Sequence, residues 1–382
     1  MAILHSKFIE NFVSELKSSK NLRWFAVGLT FVHLLTALFW QQQGAFEILT
    51  NASQRICWPI FPECGGYFNF SSSFSAGVLS FYVVLFFVTL YFYFKNLKIF
   101  WFLLLLLEIV KLGVQFVDYR FMGNYHFMPH ILTFMFLFFG NRKTTARIWL
   151  VTFYMGAALL KVNQEWLSGS SLAWKIPFGN IKLLPILALA ALLIEINAPI
   201  LLLIEKKWAR NLGLAGLVLF HLVSFYWVGF FYPLVMLSLL SVFVLTDDDD
   251  IRIKLGEKNK SNFVVGAIWS LFFINQIYRV YDYRHTATDG YKRLASLNMF
   301  DAYTTCIGFY LIKDGTLTTH VPFPNQGFAV RVRCDNIIFD SYLNKLCKAN
   351  DKTISAYLSV RLQSDSGWEN SFSKEDACAK KL

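Results

Sequence analysis

Apolar residues in this chain are gathered into runs separated by short polar segments. The runs fall near 24–42, 74–94, 98–117, 127–140, 146–162, 183–205, 211–229, 231–245 and 262–280. A helix needs about 20 residues to cross a hydrocarbon core of about 30 Å. Strands could cross only as a closed barrel built from alternating segments of roughly 10 residues. The stretch from Leu183 to Ile204 does not alternate, so the pattern predicts helices. Because the fourth and eighth runs are short, it predicts eight or nine of them as spans.

Beyond Arg284 the pattern changes. Phe309–Ile312, Leu317–Val321, Phe328–Val332 and Ile354–Leu362 are β-rich, Lys313-Asp314-Gly315 reads as a hairpin turn, and Asp340–Ala349 reads as a short helix. The expected fold is an all-α polytopic membrane bundle with 8–9 transmembrane helices and a small β-rich extracytoplasmic C-terminal domain. Its parts are a cytoplasmic segment 1–23, a transmembrane domain 24–280 and an outer domain 285–382.

Composition agrees, since 55% of residues are hydrophobic and only 16% charged, against about 25% charged in soluble domains. The net charge of +11 would suit nucleic acid, but the basic residues lie mostly in short loops between spans. Sixteen Lys and Arg fall in segments on the N-terminal side of the membrane and five in the opposite loops. That bias puts the N-terminus in the cytoplasm and, with nine spans, residues 285–382 outside. All six cysteines, Cys57, Cys64, Cys306, Cys334, Cys347 and Cys378, then lie on the outer side, which suggests disulfides in an oxidising compartment. No metal site and no nucleic-acid partner are expected.

Ionisable residues in or beside spans are costly and therefore suspect. They are His33, Glu108, Lys111, His126, His130, Lys161, Glu165, Glu195 and His221. Glu108 and Lys111 are three apart on one helix and can pair. His33 is expected to bond a neighbouring helix. Lys161, His126 and His221 come from three helices and fall at similar depth near the outer leaflet. The ordinary alternative for Lys161 is a stem reaching out to the headgroups.

The stretch Tyr154 to Leu172, with Lys161, Glu165, Trp166 and Gly169 in it, resembles the vitamin K-dependent γ-carboxylase family, membrane proteins that share the HTTM domain. Glu195 with Pro199 is similar to the family's acidic-and-proline feature. Phe220-His221 followed by Val228-Gly229-Phe230-Phe231-Tyr232-Pro233 is similar to its histidine span, and Asn124-Tyr125-His126 to its first histidine. The resemblance covers roughly residues 20–250, and the compact outer domain points to a bacterial member.

The resemblance implies that Lys161 deprotonates the reduced vitamin, with His126 and His221 positioning or stabilising reacting groups and Trp166, Glu165, Glu195 and Asn124 shaping the pocket. Reduced vitamin K or menaquinol would be the cofactor, with O2 and CO2 as co-substrates. A peptide glutamate would become γ-carboxyglutamate while the vitamin leaves as its epoxide. A lysine base must be held neutral, and burial penalises its charged form. The implied partners are a lipid-soluble quinol, a secreted or membrane peptide and membrane lipids; the implied location is a bacterial cytoplasmic membrane. The outer domain is short beside that of the animal enzymes. The Cys57–Cys64 loop is similar to HTTM proteins that mature exported peptide toxins, a non-carboxylating alternative.

Overall fold

The computed structural model describes residues 2–51, 55–58, 61, 70–121, 123–173, 183–244, 260–281, 288–289, 297, 304–323, 334–349, 352–362 and 365–378. Cys64 and the expected strand 328–332 lie outside them. All nine apolar runs carry helix. In chain order the helices are α1 (Ala2–Ser18), α2 (Lys20–Gln42), α3 (Ala45–Thr50), α4 (Ser72–Lys95), α5 (Leu97–Val117), α6 (Asn124–Phe138) and α7 (Arg142–Leu159). Two single turns follow, α8 (Gln164–Leu167) and α9 (Ser170–Ala173). Then come α10 (Leu184–Leu202), α11 (Lys207–Val228), α12 (Phe231–Leu240) and α13 (Lys260–Tyr281).

Four helices, α2, α4, α10 and α11, are long and apolar enough to cross a membrane. By these criteria the chain is a helical integral membrane protein. Length and composition alone support four spans, not the eight or nine expected. α5 carries Lys98, Glu108 and Lys111 within its 21 residues, and α12 is only 10 residues long. The four differ from helices of a soluble core in being apolar on their outer faces. Phe81, Phe87, Tyr91 and Phe94 of α4 are exposed, as are Ile186, Leu189 and Leu193 of α10 and Leu212, Leu219 and Leu222 of α11. Exposed apolar area on this scale marks contact with something other than water.

The first 23 residues form more than a polar leader. In α1, Ile9, Phe12 and Leu16 are buried, and Phe12 packs edge-on against Phe136. Ser19 then caps α2 by accepting from the Leu22 amide at 3.3 Å. Small residues set how closely the helices cross. A Cβ on Gly28 of α2 would lie 2.3 Å from the Ser238 carbonyl oxygen of α12. One on Gly213 of α11 would lie 2.5 Å from the Ala198 carbonyl oxygen of α10.

The C-terminal region is an antiparallel sheet of β1 (Thr304–Asp314), β2 (Leu317–Pro322), β3 (Thr353–Leu362) and β4 (Glu369–Lys374), with helix α14 (Asn336–Ala349) between β2 and β3. The strand order is β2-β1-β3-β4. Gly315, at φ +59°, makes the hairpin turn between β1 and β2, and a glycine at this first central position suits the twist of a tight hairpin. Ile338, Phe339 and Leu343 of α14 pack on Tyr310, Ile354 and Leu358. Cys306–Cys334 and Cys347–Cys378 are disulfides, the first tying the start of α14 to β1 and the second tying its last turn to the segment after β4. Cys57 is disulfide-bonded as well.

This domain shares its core with the bundle. Ile56, Trp58 and Tyr119 belong to the same buried cluster as Tyr310 and Phe339. Tyr119 donates its hydroxyl to Asp335 at 3.1 Å, and buried Asp118 accepts from the Ile56 amide at 3.0 Å and from Arg120 Nε at 2.8 Å. Lys345 of α14 sits at this junction. Burial first, then the positive charge of Arg120, pushes its ammonium down to about 8.

Leucine at Gly213 is expected to wedge α10 from α11 and lower the melting temperature, since overpacking costs about 1–3 kcal/mol. Alanine at Gly216, whose Cβ would meet Ala198 at an ordinary 3.6 Å, is expected to be near neutral in the same melt. Lys345 gives a pH dependence. The unfolded chain takes up its proton below the ordinary 10.5 and the folded one only below about 8, so stability rises with pH across that window. Melts at pH 8 and 10 should show the rise in the wild type and a smaller one in Lys345→Met.

Candidate functional site

Two groups of ionisable side chains are buried inside the bundle. The first gathers at the end of α7. Tyr154 and Lys161 are seven residues apart, two turns, and so share one side of that segment. Asn163 stops the chain from running on straight: its side chain accepts from the Trp166 amide at 3.0 Å and starts α8. That turn lays the Trp166 indole 5.1 Å from Lys161 Nζ, centroid to nitrogen. Trp166 is held in place by its own Nε1, which donates to the Ala188 carbonyl of α10 at 2.9 Å.

Across from Lys161, α10 presents Glu195. The two side chains form an ion pair through Nζ and Oε2, and both are almost wholly buried, at 2% and 0% exposure. Lys161 therefore points into the protein and does not reach out to headgroups. Pro199 lies one turn beyond Glu195 and lacks the amide that would bond to the Glu195 carbonyl. From α11, His221 Nε2 meets the Tyr154 hydroxyl at 2.7 Å, and its ring lies 5.8 Å from that of Tyr232. Glu195 Oε1, His221 Nδ1 and Trp227 Nε1 are buried without a hydrogen-bond partner among the described residues. They leave one acceptor, one donor and one imidazole nitrogen free to engage something beyond the protein's own side chains.

The second group joins α2, α4, α5 and α6. Glu108 pairs with His130 through Oε1 and lies 3.6 Å from His33 Nε2 through Oε2. His130 Nε2 meets Gln115 Oε1 at 2.7 Å, and His33 Nδ1 meets the Tyr82 hydroxyl at 2.8 Å. His33 thus bonds a neighbouring helix as expected. Glu108 and Lys111 make no hydrogen bond to each other, although three residues separate them and their charges interact; the carboxylate bonds His130 through Oε1, and Oε2 has no hydrogen-bond partner among the described residues. His126 is fully buried in this group, its ring 6.4 Å from that of His130 and 5.2 Å from that of Phe231.

The structure therefore brings Lys161 together with Glu195, Trp166, Tyr154 and His221, and sets His126 with Glu108, Lys111 and His130. Phe231 and Tyr232, consecutive residues of α12, face one group each. Glu165 is buried and accepts from Ser170 Oγ at 3.2 Å. Asn124 opens α6, and its side chain lies outside the described residues. Tyr154 and Trp227 were not singled out by sequence. The seven-residue spacing from Lys161 was a usable signal for Tyr154, whereas nothing in the sequence around Trp227 points to it. Among the described residues no cluster of His, Cys, Asp and Glu has the form of a metal site.

Compared with protein-family models, curated proteins and solved structures, the chain matches none.

Removing one partner of a buried ion pair leaves an uncompensated charge and costs about 3–5 kcal/mol. Lys161→Ala and Glu195→Ala are each expected to lower thermal stability on that scale. The double variant Lys161→Met/Glu195→Leu should recover most of the loss, which a double-mutant cycle of melting curves measures.

Proposed function

We propose that this protein is a quinol-dependent membrane enzyme of the vitamin K-dependent carboxylase and epoxidase kind, with Lys161 receiving the hydroquinone proton. The observation that carries this reading is the Lys161–Glu195 pair, buried beside Trp166 and reached by the His221–Tyr154 pair. Glu195 supplies the counter-charge for the ammonium formed when Lys161 takes up a proton. The paired arrangement is the one reached after that uptake. Glu195 Oε1 and His221 Nδ1 remain to bond the oxygens of a quinol head group. A site between α7, α10 and α11 suits a ligand arriving sideways from lipid, and few water molecules there would quench a strong base. His126 acts from the neighbouring group in positioning reacting species.

In the same reading more than four helices cross. Glu108, near the middle of α5, turns inward to partners on α2 and α6, so it does not bar the helix from a membrane. The protein then belongs in a bacterial cytoplasmic membrane with its N-terminus inside and its disulfide-stapled domain outside, where oxidising conditions preserve the bridges. Substrates are a reduced vitamin K or menaquinol, O2, CO2 and a secreted or membrane peptide bearing glutamate.

The test supplies purified protein with a reduced naphthoquinone, labelled bicarbonate, O2 and a glutamate peptide. Wild type should form epoxide and labelled peptide. Lys161→Arg, which keeps the charge partner of Glu195 but cannot give up its proton, should form neither. Equal epoxide from both proteins excludes Lys161 as the base. The disulfide at Cys57, beside residues that join the outer domain's core, favours a second reading as a maturation factor for an exported peptide. Export of such a peptide that needs Cys57 and survives Lys161→Arg would establish it.

A further inference from the structure

Tyr154 of α7 and His221 of α11 are both fully buried, and the phenol hydroxyl meets imidazole Nε2 at 2.7 Å. This is the one hydrogen bond that the hydroxyl makes among the described residues. The other ring nitrogen, Nδ1, is buried without a hydrogen-bond partner among them. A neutral imidazole carries its proton on one nitrogen and accepts at the other, and the bond made by one nitrogen decides the state of the other. Two arrangements are therefore open to the neutral pair. If Nε2 carries the proton, it donates to the phenol oxygen. The phenol O–H then has no acceptor, and Nδ1 is a bare acceptor with no donor. If the phenol donates to Nε2, the imidazole proton sits on Nδ1, and that N–H is the only group left to satisfy. A charged imidazolium would donate from Nε2 and strand the phenol hydrogen again. Every buried polar group left unmade carries its desolvation cost, so the arrangement that leaves one is favoured over those that leave two.

We propose that Tyr154 is a positioning residue that holds His221 in its Nδ1–H form, so that His221 meets a substrate as a hydrogen-bond donor and not as a base. The atom such a group selects is an oxygen that gains negative charge. His221 lies within electrostatic reach of Lys161, and a quinol oxygen gains that charge as its proton passes to Lys161 Nζ. His221 keeps its own proton throughout. This role in turnover rests on the quinol-enzyme reading above, whereas the tautomer does not.

The test labels histidine with nitrogen-15 in the full-length protein in lipid nanodiscs. Ring nitrogen shifts then report the tautomer, since a bare nitrogen resonates far downfield of a protonated one. His221 is assigned among the seven histidines by the signal that His221→Asn loses. Wild type is expected to show Nδ1 protonated and Nε2 bare, and Tyr154→Phe, which removes only the hydroxyl, to show a mixture of both forms. A proton on Nε2 in wild type overturns the proposal, as does an unchanged spectrum in Tyr154→Phe. Turnover is read as epoxide formed from a reduced naphthoquinone. Tyr154→Phe should lower kcat by about tenfold, the scale of one buried hydrogen bond, with KM little changed. His221→Asn keeps an amide N–H near the place of Nδ1–H and should retain part of the activity, whereas His221→Leu should lose more. Adding Tyr154→Phe to His221→Asn should cost nothing further, because an amide has no tautomer to set. A further tenfold loss in that double variant overturns the positioning role, and His221→Asn as inactive as His221→Leu overturns the donor role. Absence of epoxide from wild type ends the quinol reading, and the nitrogen shifts alone then decide whether Tyr154 sets the tautomer.

Discussion

The constraint on which this structure depends is that a charge taken into an apolar interior must find an opposite charge or a set of hydrogen bonds there. Desolvation of one ion costs several kcal/mol even after relaxation. At least two carboxylates and one lysine of the bundle meet this condition by direct contacts. Glu195 and Lys161 meet it by pairing across α7 and α10. Glu108 meets it with histidines from α2 and α6. Each solution fixes the rotation of the helices that contribute to it, because turning a helix by one residue, about 100°, would withdraw the partner. Packing of apolar side chains alone tolerates such slippage far better.

Close backbone approach supports the same rotations. Gly213 lets α11 lie against the Ala198–Leu202 stretch of α10, which includes Pro199 and follows Glu195 by one turn. The contact and the ion pair are therefore neighbours on α10. Trp166 completes the arrangement from the far side, bonded to α10 and stacked near the Lys161 ammonium. The residues most sensitive to helix position are thus placed beside a close crossing.

Much of the architecture was legible in the sequence because it follows from local rules. Apolar runs form helices since only intra-segment hydrogen bonds satisfy the backbone in hydrocarbon. Strands β1 and β3 showed themselves by β-rich composition, and the Gly315 turn by its glycine. Strand β4, Glu-Asn-Ser-Phe-Ser-Lys, did not: it is a polar edge strand with little buried surface. Within the candidate sites, Lys161, Glu195 and His221 could be found as costly residues in apolar runs. Their partners could not, since partner choice is made between helices. The Glu108–Lys111 spacing favours pairing within α5, yet the carboxylate turned to His130 and His33. Spacing along one helix says which residues share a face; it does not say what the next helix offers to that face.

The shared core at the junction bears on modularity. Ile56, Trp58 and Tyr119 come from bundle loops but are buried among residues of the sheet domain. That domain is consequently not a cassette that evolution can exchange freely between bundles. A replacement would have to bring its own hollow for two aromatic rings and an acceptor where Asp335 meets Tyr119. Loop and domain are therefore expected to change together, so divergence at residue 335 or within β1 would be matched by divergence at residues 56, 58 and 119, far away in the chain but in contact in the fold.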